Sequence, residues 1–421
     1  MNRYILFILI LLSITNKSYK ALAEDVLTWR DCVAEARENN PELRSAEELI
    51  KRARAQRAST TGGLLPQIDG SLSGRTSKNV GESQSESYSY SVGASQLIFD
   101  GFKTFYNRRS DSLSIDSARY GYEVTSSEVR LGLRSAFIEL LRAQESLKLR
   151  EEILARRKQN LELVQLRYKA GREHKGSLLA SEASLIQAEF EVAQARRDIT
   201  LAQRKLSKEL GRAEYTPIRI EEDLSLLSIE QERPDFKLLL ENHPSSRLVA
   251  IETEIARYNV KSSGSDFLPN VRAHGSLGKS GSDWPPDGEG WSASLSLSLP
   301  IFEGARRIAA VNRAKSTYRK AVEDERKRQD DLLFNIQESW NNFQDSIERV
   351  KVREKFLDAA NARAEIARAQ YSTGLISFDN WAIIEDSLVS AKQNYLAAQA
   401  DALIREANWI KAQGGTLDVT E

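Results

Sequence analysis

Trp291-Ser-Ala-Ser-Leu-Ser-Leu-Ser-Leu-Pro-Ile-Phe-Glu-Gly304 alternates strictly. Trp291, Ala293, Leu295, Leu297, Leu299 and Ile301 take the odd positions, and Ser292, Ser294, Ser296 and Ser298 the even ones. Successive side chains of a strand point to opposite faces, so the segment has one apolar and one polar face. About ten alternating residues flanked by aromatics is the length of a strand crossing an outer membrane. Taken alone, the edge of a soluble β-sandwich would read the same way.

The stretch has a twin. Tyr88-Ser-Tyr-Ser-Val-Gly-Ala-Ser-Gln-Leu-Ile-Phe-Asp-Gly101 lies 203 residues upstream, and Tyr88, Tyr90, Val92, Ala94 and Ile98 keep the parity of the later apolar face. The same interval links Asn40-Pro41 to His243-Pro244, and Leu65-Pro66 to Leu268-Pro269. It also links Tyr168 and Gly171 to Tyr371 and Gly374, and Gly211 to Gly414. Landmarks at one spacing over most of a chain mark a duplicated unit. Tyr88, Tyr90, Trp291, Leu295 and Leu297 are the expected lipid-facing strand residues.

The 421 residues carry 60 basic and 60 acidic side chains, a balance that argues against a nucleic-acid partner. Residues 1–23 read as a signal peptide: Arg3, an apolar core from Tyr4 to Ile14, then Ala21-Leu22-Ala23. No later run is apolar enough for a spanning helix. The only cysteine, Cys32, reads as a small thiol on a helix, neither disulfide-bonded nor lipid-bearing. His174, His243 and His274 are far apart and lack ligand spacing. No nucleophile elbow, phosphate loop or patterned acid pair is present, so neither a metal nor a cofactor nor catalysis is expected.

In chain order, residues 24–211 form the first repeat. A half-length helix starts at Thr28, with Thr28 and Asp31 as a capping box, and is interrupted at Asn39-Asn40-Pro41. A β-hairpin follows over 66–99, a long helix over 101–168 and a return helix over 177–210. Residues 212–233 read as a linker. The second repeat, 234–414, has its own half-helix, a hairpin over 269–302, a long helix over 305–371 and a return helix over 377–413. Residues 415–421 read as a mobile tail. A helix of about 67 residues would be about 100 Å long, too long for a compact globule. Each half-helix and each return helix covers roughly half that length. The fold class is mainly α with a small β part: long helical rods forming a tunnel, topped by a β-barrel. Four strands cannot close a barrel, and open edges are not tolerated in lipid. Three chains would supply twelve strands around a passage, so the expectation is a homotrimer embedded in outer-membrane lipid.

This pattern resembles the TolC-like outer membrane efflux proteins. The resemblance rests on Leu27-Thr28 with Ala34 to Pro41, Leu65-Pro66, Leu97-Ile98-Phe99-Asp100-Gly101, Leu299-Pro300-Ile301-Phe302-Glu303-Gly304, Arg167-Tyr168-x-x-Gly171 and Gln370-Tyr371-x-x-Gly374. It implies a passive exit duct in the outer membrane of a Gram-negative bacterium, with a periplasmic tunnel. The duct would be served by a periplasmic adaptor and driven by an inner-membrane pump. A type I protein-secretion duct is the alternative, and a structural helical spacer a more distant one. The resemblance places the adaptor-docking tips at Gly171, Arg172 and Gly176 and at Gly374, Leu375, Ser377 and Asp379. It also suggests an acidic periplasmic constriction, for which Asp379, Glu385, Asp386 and Glu182 are the candidates. The first tip departs from the family pattern, because Arg172-Glu173-His174-Lys175 is charged where an apolar residue is common.

Overall fold

The computed structural model describes residues 25–78, 80–81, 84–224 and 233–418. The expected signal peptide therefore lies outside the described residues. The chain divides into two compact units, one of residues 1–42, 126–234 and 336–421, the other of residues 43–125 and 235–335.

The first unit begins with β1, Asp25–Leu27, and α1, Trp29–Asn39. Thr28 and Asp31 form a reciprocal capping box, which satisfies two of the free N–H groups at the helix start. Asn40 is extended, as the residue before a proline tends to be, and this separates α1 from α2, Pro41–Gly62, which from residue 43 on belongs to the second unit. Long helices α3, Lys103–Lys169, and α4, Lys175–Leu210, follow. Leu133, Ala136, Phe137, Leu140 and Leu141 are buried at helical spacing on α3. Gly211 closes α4 in the left-handed region at φ 79°, and a Cβ there would stand 2.4 Å from the Asn39 carbonyl oxygen. Only glycine meets both demands.

Two sequence expectations are corrected in this unit. Residues 212–233 are not merely a linker. Ile218–Ile220 form β4, which pairs in parallel with β1. Ile218 and Ile220 are buried, and the Gln144 side chain bonds both the N–H and the C=O of Ile220. Arg212 fastens the join through Glu35 at 2.5 and 2.8 Å and Asp25 at 3.0 Å. Within the same span, residues 225–232 lie outside the described ones. Nor is the tail loose over 415–418. Leu417 is buried, its N–H bonds Ser126 Oγ, and Arg37 donates to its carbonyl oxygen and pairs with Asp418 at 2.7 Å. One buried leucine with satisfied backbone groups anchors the segment. Cys32 is fully buried, which, with Glu35 and Asp31 nearby, pushes its thiol up to about 12.

The second unit holds α5, Phe236–Asn242, and α6, Pro244–Ser265, with a four-stranded antiparallel sheet. The strands are β2, Gln67–Ser77, β3, Ser85–Phe99, β5, Asn270–Gly281, and β6, Gly288–Ser298, in the order β2-β3-β5-β6. His243 caps α6: its Nδ1 accepts from Ser245 N at 3.1 Å. The two hairpins meet through β3 and β5, where Val92 faces Leu277 and Ser95 faces His274. Strand turns to long helix at Gly101-Phe102 and at Gly304-Ala305, all four residues at positive φ. Helix α7, Arg306–Thr373, contributes residues 306–335 to this unit and 336–373 to the first, and α8, Phe378–Ala412, belongs to the first.

Candidate functional site

The two turns expected as tips both lie in the first unit. Gly171 and Gly374 take φ of 69° and 85° and end α3 and α7. His174 then caps α4 by accepting from Ser177 N at its Nδ1, 3.3 Å away, and Ser377 caps α8 by accepting from Asn380 N. These two caps stand at the same place in the repeat.

The turns are joined by a buried cluster of Val164, Ala367, Tyr371 and Trp381. Tyr371 stacks on Trp381 with ring centroids 4.3 Å apart and planes 9° from parallel. Arg167 lies 4.5 Å above the Tyr371 ring and donates to the Tyr371 carbonyl oxygen at 2.6 Å. Tyr371 in turn donates its hydroxyl to Glu173 at 2.8 Å, and Ser177 donates to the same carboxylate at 2.9 Å. Burial works to raise the Glu173 carboxyl, but the bonds from Tyr371 and Ser177 outweigh it and hold the group below its ordinary range. Burial and the facing carboxylate push the Tyr371 phenol up. The Trp381 indole N–H finds no acceptor among the described residues, an uncompensated cost in a buried position.

Further along the same helices an ion-pair ladder joins α3 to α8. Arg156 grips Glu385 with two bonds of 2.6 and 2.8 Å, Asn160 adds a third at 3.1 Å, and Glu385 is 2% exposed. Burial would raise this carboxyl, yet the bonds and charge of Arg156 outweigh it and lower the group. Arg157 pairs with Asp386 at 2.5 Å, and Lys392 pairs with Glu152.

Among the expected constriction acids, Glu385 is thus enclosed and its charge is met by a guanidinium. Asp386 pairs with Arg157 while remaining exposed. Asp379 is exposed in the first turn of α8, and Glu182 is half-buried on α4. The ladder itself was missed by sequence reasoning. Its trace was there, because the residues 203 positions after Arg156 and Asn160 are Ala359 and Arg363, so the repeat breaks where the ladder forms.

In the second unit the sheet sorts its side chains into two faces. Ser71 bonds Ser91 at 2.8 Å, Ser73 bonds Ser89 at 2.7 Å and Ser276 bonds Ser292 at 2.9 Å, all on one face. The opposite face carries Ile68, Leu72, Tyr90, Leu277, Trp291, Leu295 and Leu297, all exposed, with Trp291 at 82%. Tyr88 shares that face, half-buried, edge-on to Trp284 at 6.1 Å. Strands β2 and β6 leave two unpaired edges. Among the described residues no helix is long and apolar enough to cross a membrane.

The model of one family, the outer membrane efflux proteins, matches residues 32–212 and 236–415. The chain belongs to that family. As an outer membrane efflux protein it is 23% identical over 402 residues to the alkaline protease secretion protein AprF of Pseudomonas aeruginosa, covering 91% of this chain and 83% of the relative. It is 21% identical over 415 residues to the outer membrane efflux protein BepC of Brucella suis, covering 96% and 85%. Among solved structures, CusC superposes with a TM-score of 0.82 at 18% identity, over 91% of each chain. The mainly helical fold with a small sheet is thus the family's own, and the two matched segments coincide with the two copies of the internal repeat.

Proposed function

We propose that this outer membrane efflux protein is the exit duct of a tripartite pump. It is a passive conduit through the outer membrane of a Gram-negative bacterium, driven by an inner-membrane transporter. The observation that carries this is the four-stranded sheet, with an exposed apolar face, a serine-lined face and two open edges. Apolar side chains this exposed belong against lipid, and open edges must be paired there. Three copies pairing β6 to β2 close a twelve-stranded barrel around a wet lumen, whereas two would make an eight-stranded barrel filled by side chains. Tyr88, Tyr90, Trp291, Leu295 and Leu297 then face outer-membrane lipid.

The tips at Gly171, Arg172 and Gly176 and at Gly374, Leu375, Ser377 and Asp379 dock a periplasmic adaptor. Of the expected constriction acids, Asp379 and Glu182 have no ion pair among the described residues, so Asp379→Ala weakens cation block in a conductance assay. Particle mass tests the assembly: extracted gently from membranes, the protein should weigh as three chains, and a monomeric particle sinks the reading. The kinship to AprF, named for alkaline protease secretion, favours a type I secretion duct as the second reading. Deleting the gene separates the two, since loss of one exported protein with unchanged accumulation of small toxic compounds selects secretion.

A further inference from the structure

The two tips differ in a way the repeat does not dictate. Arg172, Glu173, His174 and Lys175 correspond, 203 residues on, to Leu375, Ile376, Ser377 and Phe378, and Lys169 corresponds to Ser372. As a string of residues, the first tip mixes charges of both signs. In three dimensions it does not. Glu173 is turned inward and spent on Tyr371, Ser177 and the His174 N–H, its side chain 8% exposed. Arg167 is spent on Tyr371. Left outward are Lys169, Arg172 and Lys175, all exposed and none in an ion pair among the described residues. Lys175 opens α4, where the positive end of the helix dipole disfavours a cation, and no acid sits in that first turn to offset it. The second tip instead exposes Leu375 at 76%.

We propose that the first tip is a cationic docking face for an acidic segment of the periplasmic partner, beside an apolar seat made by Leu375. The inference rests on the exit-duct reading and specifies the chemistry of its partner. Carboxylates of that partner reach Arg172, Lys175 and Lys169 together with the free N–H groups at the α4 start. An uncharged or basic hairpin would leave three like charges facing a desolvated contact. The inward turn of Glu173 removes the anion within the first tip that would compete. Charge at this tip therefore selects among partners, while Leu375 supplies contact area common to them.

The test places a photo-crosslinker separately at Lys175 and at Leu375 of the full chain in its native host, and sequences the captured peptides. The peptide taken from position 175 should contain aspartate or glutamate. The double variant Arg172→Glu, Lys175→Glu should cut the yield of the Leu375 adduct by about tenfold or more, with Arg172→Gln, Lys175→Gln falling between. Lysines in place of the captured acids should restore it. Extraction of the oligomer at the wild-type level checks that the variants fold. Binding of the purified captured partner to the unaltered chain should also weaken about tenfold as salt rises from low to high ionic strength. A captured peptide without acids, a yield within about twofold of wild type after charge reversal, or salt-independent binding overturns the proposal while leaving a docked duct. Capture of no other chain from either position overturns both.

Discussion

Replacing Glu385 by alanine should loosen the tip-side end of the first unit. Glu385 accepts two bonds from Arg156 and one from Asn160, and is 2% exposed. Truncating one partner of a buried ion pair costs about 3–5 kcal/mol, because the other charge is left desolvated and unpaired. The Arg156 side chain keeps 25% of its surface exposed, so water recovers part of that loss. The low end, about 3 kcal/mol, is expected, which is roughly a 150-fold rise in local opening at about 1.4 kcal/mol per tenfold. Amide hydrogen exchange on α3 around Asn160 and on α8 around Glu385 reads this directly. Arg156→Ala should show a similar loss. The double variant Arg156→Met, Glu385→Leu should recover most of it, since a packed apolar pair is often as stable as a buried ion pair. A loss of protection below about tenfold in Glu385→Ala, or additive losses in the double variant, would refute the reasoning.

Three further outcomes concern acid, a turn and the tail. Glu385 and Glu173 are both held below the ordinary carboxyl value, so their contribution is complete above pH 4.5 and is lost as pH falls through the depressed values. The part of tip-region stability that Glu385→Ala and Glu173→Ala remove, measured by hydrogen exchange against the unaltered chain, should be flat from about pH 7.5 to about 5 and shrink only in more acid solution; a difference that shrinks between about pH 7 and about 6 would contradict this. Gly211→Ala should destabilise the first unit by at least about 2 kcal/mol, from the left-handed conformation plus the contact at 2.4 Å, and an unchanged urea midpoint would contradict this. Leu417→Ala should lower the thermal midpoint, at a cost of about 2–3 kcal/mol for emptying a buried leucine site, and no shift would mean that residues 415–418 are not anchored.

What could be read from the chain beforehand was local or repeated. The strict parity of Trp291 to Leu299 needs no tertiary knowledge, and neither do the glycine stops at Gly171 and Gly374 or the Thr28–Asp31 cap. Duplication doubled each weak signal. What escaped were pairings between distant segments. Ile218-Arg219-Ile220 is too short an alternation to announce a strand, and its partner Asp25–Leu27 lies at the other end of the repeat. Glu385 looked like any helical carboxylate because Arg156, on another helix, is 229 residues away. Two of the three histidines turned out to be helix caps, a role in which imidazole substitutes for the usual serine or asparagine and which spacing alone does not reveal.

The cross-strand hydroxyl pairs on the sheet have a bearing on how its polar face meets water. Ser71 with Ser91, Ser73 with Ser89 and Ser276 with Ser292 spend hydrogen-bonding capacity on one another. Each pair uses one donor and one acceptor and leaves a second O–H and further lone pairs open, so the face stays wettable. Asp69, Arg75 and Arg272 stand on the same face, so the hydroxyl pairs space its charges with neutral, wettable surface.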